Sequence, residues 1–245
     1  MTIKGIAVFD FDWSLIEQDS DYWTIHSLSP EIWQEVREKQ ASYQWTDLMD
    51  FALCRLQEAG FTKGDIVNVL KMIPFSEEMR SLLLELKKKD VPVILLSDAN
   101  TFYINTILMA YGVRECVTEI ITNPAYEDKQ GRLRVERYIR SSDPQHQCKN
   151  LCSVNICKGQ ELDKVIERHG GIEVVQKIAY TGDGRNDFCP ATRLRDIDTF
   201  FMRKEKGLDR YFEQVPEEKQ QITSKIVYWL KPQTVLEHMP AFLTL

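Results

Sequence analysis

Apolar residues recur along this chain in two rhythms, and their alternation predicts the fold. Short runs at residues 3–9, 91–96, 119–122, 177–181 and 198–201 have the length of buried strands, the first strand covering residues 4–10. Between them, apolar positions return every three or four residues, as in a helix with one buried face. Residues 77–89, 100–111 and 157–169 read as helices, the last two closed by Gly112 and by Gly170-Gly171. Strand, helix, strand, helix is the order of a parallel sheet covered on both faces, an α/β, Rossmann-like core.

One tract breaks this rhythm. From Trp13 to residue 73 no strand is credible. Pro30 followed by Glu31 suits a first helical turn. Leu48, Phe51, Ala52 and Leu56 share a helical face before Gly60, and Thr62-Lys63-Gly64-Asp65 opens another helix. The tract reads as an inserted all-helical subdomain, leaving residues 1–13 and 75–245 as the core and 14–74 as the insert. Residues 128–138 carry a Gln130-Gly131 turn between two hairpin strands, and the chain ends with a strand or loop and a helix at 232–242.

Composition narrows the partners. The 245 residues carry a net charge of −6, which argues against an electrostatic footprint for nucleic acid or an anionic membrane. No run approaches the ~18 apolar residues of a membrane span, and the N-terminus leads into a strand without a signal-peptide pattern. Six cysteines without such a signal read as thiols in a reducing compartment, so the expected location is cytoplasmic, with a nuclear or organellar address left open.

Candidate chemistry collects at strand ends. Asp10-Phe11-Asp12-Trp13-Ser14 follows the first strand, Ser97-Asp98-Ala99-Asn100 the second, and Gly182-Asp183-Gly184-Arg185-Asn186-Asp187 a later one. In open parallel sheets ligands bind at these carboxyl ends. Asp10 and Asp12 suit a nucleophile with a partner that donates and accepts a proton. Asp10, Asp12 and Asp183 form an acidic nest that calls for a hard cation, Mg2+. Ser97 and Lys158, the latter opening a helix, can hold phosphoryl oxygens.

These four motifs, in this order, make the chain resemble the haloacid dehalogenase (HAD) superfamily, with the helical insert placed like a type 1 cap. Further phrases, among them Asp19-Ser20-Asp21, Ser97-Asp98-Ala99-Asn100-Thr101-Phe102, Asn155-Ile156-Cys157-Lys158-Gly159 and Gly182 to Pro190, are similar to the phosphoethanolamine/phosphocholine phosphatase and pyridoxal phosphate phosphatase family. The resemblance implies a Mg2+-dependent phosphatase of a small phosphorylated metabolite. It implies that Asp10 forms an aspartyl-phosphate and that Asp12 protonates the leaving oxygen and then activates water, its backbone carbonyl helping to bind the metal. It further implies that Asp183 ligates the metal, Asp187 orients metal-bound water, and Ser97 and Lys158 grip phosphate. Inorganic pyrophosphate hydrolysis, phosphotransfer and a non-catalytic metal-binding role are the alternatives on the same fold.

Acids beside aromatics suggest what holds the rest of the substrate. Trp13, Asp21, Tyr22, Trp23 and Asp98 are the candidates, suited to a cationic or heteroaromatic head group such as those of thiamine monophosphate, pyridoxal phosphate, phosphocholine or phosphoethanolamine. Tyr22 and Trp23 serve equally well as core of the insert. His146, Cys148, Cys152 and Cys157 offer four ligands to a structural Zn2+, or else are packed thiols and a surface histidine. Cys189 reads as packing, and Arg185 as pointing toward the mouth of the site.

Overall fold

The computed structural model describes residues 5–244, so Lys4 of the predicted first strand and Ile3 of its apolar run lie outside the described residues. In chain order, β1 (Ile6–Phe9) is followed by four helices, α1 (Ser20–Leu28), α2 (Pro30–Lys39), α3 (Trp45–Glu58) and α4 (Lys63–Leu70). Then come α5 (Glu77–Lys88), β2 (Val93–Asn100), α6 (Thr101–Ala110), β3 (Glu119–Asn123), β4 (Ala125–Glu127), β5 (Leu133–Val135) and α7 (Lys158–Arg168). The chain continues through β6 (Ile178–Gly182), α8 (Phe188–Ala191), β7 (Thr199–Arg203), α9 (Gly207–Gln214), β8 (Lys225–Trp229) and α10 (Pro232–Thr244).

Six strands form one parallel sheet in the order β3-β2-β1-β6-β7-β8, with Ala7 opposite Val93 on one side and Ala179 on the other. This is the HAD Rossmann-like core with a helical cap. Alternation along the strands explains its two apolar layers. Ala7, Phe9, Val93 and Leu95 face α5, α6 and α10, whereas Ile6, Val8, Ile94 and Leu96 face α7, α8 and α9. The apolar residues of α1–α4 belong to the first of these layers: Ile25, Val36, Leu53 and Ile66 are continuous with Ala7 and Phe9.

Local chemistry sets the ends of the elements. Ser29 closes α1 through its backbone N–H to Ile25 and opens α2 by accepting from Ile32 N, with Pro30 next in line. Thr62 and Asp65 form a capping box at α4. The hairpin differs from the predicted bounds: Asp128 accepts from Gln130 N and Arg132 N, making it a turn residue, so β4 precedes it. Gln57 on α3 exchanges two hydrogen bonds with Leu133 of β5, tying the hairpin to the cap.

The reversal of strand order falls between β1 and β6, so the crevice at their carboxyl ends is where a ligand is expected. A buried carboxylate holds β6 in place from the opposite end. Asp198 accepts from Ile178 N at 2.8 Å, Arg195 N at 2.8 Å, and Arg195 Nε and Nη2 at 2.9 Å each. Its side chain is fully buried. We expect Asp198→Ala to lower unfolding stability by about 3 kcal/mol, read as a fall in urea midpoint at unchanged m-value; a change below about 0.5 kcal/mol would show that the anchor carries no load.

Candidate active site

Asp10 follows β1 directly, and its backbone N–H donates to Thr181 O of β6, which brings the two strand ends together. Asp10 Oδ1 accepts from Phe11 N at 2.7 Å and from Lys158 Nζ at 2.8 Å. Lys158, first residue of α7 and 1 % exposed, also donates to Asp187 Oδ1 at 2.9 Å. Burial alone would pull this ammonium down, but Asp10, Asp187 and Asp98 outweigh it and hold its pKa above the ordinary range.

Asp187 is wholly buried and fully engaged. Oδ1 also accepts from Tyr180 OH at 2.7 Å, and Oδ2 accepts from Asp183 N and Gly184 N at 2.9 Å each. Its carboxyl lies so close to Gly182 that an added Cβ would stand 2.5 Å from Asp187 Cγ, which is why glycine occupies that position. Asp183 accepts from Ser14 Oγ at 3.2 Å, so the serine hydroxyl in the first motif does bind this loop.

Charge is concentrated here. One carboxylate oxygen from each of Asp10, Asp183 and Asp187 lies within 4.8 Å of the other two. Burial, then Asp187, pushes Asp183 up to about 7; burial raises Asp10 well above the carboxylate range, with Asp187 and Asp183 adding to it against Lys158. An all-oxygen donor set with more negative charge than one ammonium offsets fits a hard divalent cation. Asp187, with both oxygens already bonded, is better suited to hold Lys158 and the Asp183 loop than to bind a metal itself.

Above this floor is a cavity of ≈ 180 Å³ lined by Asp10, Asp12, Trp13, Asp19, Asp21, Trp45, Ser97, Asp98, Asp183, Gly184 and Asn186. Both carboxyl oxygens of Asp12 accept from Ser20, from N at 2.9 Å and Oγ at 3.1 Å. Burial, with Asp19 and Asp21 nearby, raises its pKa well above the ordinary value, so it holds a proton more readily than a free carboxyl. Ser97 is 1 % exposed, its Oγ accepting from Ala99 N. Asp98 Oδ2 accepts from Asn186 Nδ2 at 2.8 Å and Ser153 Oγ at 3.3 Å. Trp13 adopts φ 58°, costly for a bulky residue, and is held there by Arg203 Nη1 donating to its carbonyl at 2.6 Å and by Lys206 Nζ 3.1 Å over its ring.

The predicted aromatics are partly displaced. Tyr22 and Trp23 do not line the cavity: Tyr22 packs on His26 and Trp33, and Trp23 Nε1 donates to Val69 O. Trp45, at the start of α3, lines the wall instead and donates from Nε1 to Asp21 Oδ2 at 2.8 Å. Trp45 and Tyr180 carry no signal in their local sequence; only the fold brings them in. Arg185 stacks on Tyr211 at 4.8 Å. The sulfur cluster is also corrected. His146 Nε2 lies 2.6 Å from Ser153 O, and the group that gathers with Cys148, Cys152 and Cys157 is Cys189.

Comparisons with known proteins place the chain in a family. The family described as "Putative Phosphatase" matches residues 5–243. A thiamine phosphate phosphatase-like protein of Arabidopsis thaliana is 35% identical over 80% of this chain and 78% of its own length. The pyridoxal phosphate phosphatase PHOSPHO2 of Mus musculus is 30% identical over 97% of this chain and 98% of its own. Inorganic pyrophosphatase 2 of Arabidopsis thaliana is 32% identical over 81% of this chain and 70% of its own. Among solved structures, a HAD family hydrolase of Salmonella enterica superposes with TM-score 0.64 at 16% identity, covering 100% of this chain and 72% of that one, a likeness of fold.

Asp21 offers a test of the electrostatics. Burial, then Asp19, pushes its pKa up to about 8. The folded state therefore keeps a proton that the unfolded chain releases near pH 4, and this carboxyl costs stability progressively as pH rises from about 4 to 8. We expect Asp21→Asn to raise Tm by about 2–4 °C at pH 8.5 and by little at pH 4.5. An equal shift at both pH values would show that Asp21 is not held protonated.

Proposed function

We propose that this chain, a phosphatase belonging to the HAD-superfamily family matched over residues 5–243, hydrolyses a small organic monophosphate whose other end carries positive charge, with thiamine monophosphate as the first candidate. One observation carries the reading: past the phosphate-binding floor of Lys158 and Ser97, the cavity wall consists of Asp19, Asp21, Asp98, Trp13 and Trp45. A cation bound there would draw the proton off Asp21 and pair with the carboxylates, while Trp45 offers its indole face; Lys206 already covers one face of Trp13. Phosphocholine and phosphoethanolamine share that charge. Pyridoxal phosphate, the substrate in the name of the mouse relative, is the second reading, since its ring can stack on Trp45. A second phosphate, as in pyrophosphate, would face the acidic wall.

The proposed steps follow from the hydrogen bonds. Phe11 N and Lys158 Nζ both hold Oδ1 of Asp10, so Oδ2 is the atom available to attack phosphorus. Attack forms an aspartyl-phosphate and breaks the bond to the leaving oxygen, which takes the proton of Asp12. The carboxylate so formed on Asp12 then accepts a proton from a water molecule that attacks the phospho-enzyme, restoring both aspartates. Ser20 keeps Asp12 in one orientation throughout. Lys158 and the Ser97 hydroxyl stabilise charge on the phosphoryl oxygens. Asp10 and Asp183, with the backbone carbonyl of Asp12, are the residues to hold Mg2+, and Asp187 fixes Lys158 and the Asp183 loop. Bound there, Mg2+ would offset the repulsion between the aspartate and the phosphate.

The test is phosphate release with and without Mg2+ from thiamine monophosphate, phosphocholine, phosphoethanolamine, pyridoxal phosphate, pyrophosphate and an aryl phosphate. We expect Mg2+-dependent release with the highest kcat/KM among the cationic esters. Asp10→Asn should lower kcat by about a thousand-fold or more and Asp12→Asn by about 100-fold or more. Trp45→Ala should raise KM for the cationic substrate about tenfold and leave the aryl phosphate nearly unchanged. Residual wild-type rates in Asp10→Asn would remove the mechanism. A preference for pyrophosphate insensitive to Trp45 would remove the substrate reading while leaving the mechanism.

A further inference from the structure

A second constellation lies outside the phosphoryl chemistry. One sulfur each from Cys148, Cys152, Cys157 and Cys189 falls within 4.8 Å of all the others. The first three sit in the segment before α7, and the fourth stands in α8, two residues beyond Asp187. Sulfur separations are 3.7 Å for Cys148–Cys152, 3.5 Å for Cys152–Cys157, 3.7 Å for Cys157–Cys189 and 3.6 Å for Cys148–Cys189. All four are free thiols.

Geometry separates the explanations. Disulfides would bring two pairs to about 2.05 Å. Zinc holds thiolates at about 2.3 Å in a tetrahedron, whose edges are then about 3.8 Å. The four separations close a ring of nearly that size around one point, which chance packing of four thiols from two parts of the chain has no reason to do. We propose that Cys148, Cys152, Cys157 and Cys189 bind one structural Zn2+ in a closed four-thiolate site, without His146, and that this site clamps the start of α7 to α8.

The surroundings suit that charge. Cys157 is the N-cap of α7, its sulfur accepting from Gln160 N at 3.5 Å, and a helix N-terminus favours an anion there. Arg193, paired with Asp163 at 3.6 Å, brings a positive charge beside Cys189. The backbone has been cleared for the contact as well: a Cβ on Gly159 would stand 2.5 Å from Cys189 Sγ. Residues 136–157 contain no helix or strand beyond the isolated bridge Ser153–Ile156, a length of irregular chain that ordinarily needs something to hold it. On binding, the thiol protons leave to solvent and the four sulfurs fill the coordination sphere, so the metal has no open position and no part in hydrolysis.

Position gives the clamp its use. Cys157 immediately precedes Lys158, and Cys189 follows Asp187 by two residues, so the clamp fixes the two chain segments that place the buried Lys158–Asp187 pair. Its residues act on the reaction only by positioning.

Metal analysis of the full chain, purified without chelator, should find one zinc per molecule. Stripping with a mercurial and a chelator, then adding Co2+, should give the visible bands of tetrahedral cobalt and a thiolate-to-cobalt charge-transfer band. Cys152→Ser, at a half-buried position, should lose zinc or bind it far more weakly and lower Tm by about 5–10 °C, while His146→Ala keeps the full zinc content. The stripped protein should lose kcat with little change in KM for whichever substrate is used. Absence of zinc and of the cobalt spectrum, with all four thiols reacting freely in the folded protein, would overturn the proposal. Iron in place of zinc would overturn the choice of metal, and loss of zinc in His146→Ala would overturn the ligand set. None of the metal readouts depends on activity.

Discussion

The structure depends on keeping one ammonium out of water between two carboxylates. Lys158 lies with Asp10 on one side and Asp187 on the other, each within 2.9 Å, and almost none of it reaches solvent. Breaking a buried pair of this kind by removing one partner costs about 3–5 kcal/mol, so its neighbours must all stay in register. Tyr180 and two backbone N–H groups complete Asp187, and Phe11 N supports Asp10. The parallel register of β1 with β6 brings these groups to one place.

That arrangement also sorts the acids by task. Asp187 has every oxygen engaged and cannot turn toward a ligand. Asp10 has one oxygen tied and one available. Asp12, Asp19, Asp21 and Asp98 stand at the wall, and burial keeps Asp12 and Asp21 inclined to hold protons. In the proposed mechanism identical side chains thus divide into scaffold, nucleophile, proton carrier and lining, according to how much water and how many donors each retains.

Much of this was legible in the sequence, for a physical reason. Strand-length apolar runs followed at once by Asp, Ser or Gly-Asp place the polar groups at one sheet edge, because a parallel sheet puts all its carboxyl ends together. The helical tract before β2 was equally plain from its spacing. What escaped was contact between distant segments. Trp45 reaches the cavity only because α3 crosses Asp21, and Tyr180 looks like any apolar strand residue until Asp187 folds back on it. Cys189 belonged by sequence to the phrase from Gly182 to Pro190; packing of α8 on α7 is what carries its sulfur to the other three. For Tyr22 and Trp23 the sequence left two readings open, and their contacts within the cap match the second, since proximity in sequence to Asp21 says nothing about which side of α1 they occupy.

The double duty of Ser29 bears on how this protein can vary. Because one residue ends α1 and begins α2, the angle between these helices is fixed, and with it the stack in which Tyr22 meets Trp33 at 5.1 Å and Trp33 meets Trp45 at 6.2 Å. A residue inserted at that corner would rotate α2 and withdraw the support behind Trp45. The turn between α2 and α3, where Gln40 to Tyr43 are exposed, carries no such constraint. Length changes during divergence should therefore accumulate there and be purged at Ser29, leaving the wall of the cavity unaltered while the outline of the cap drifts.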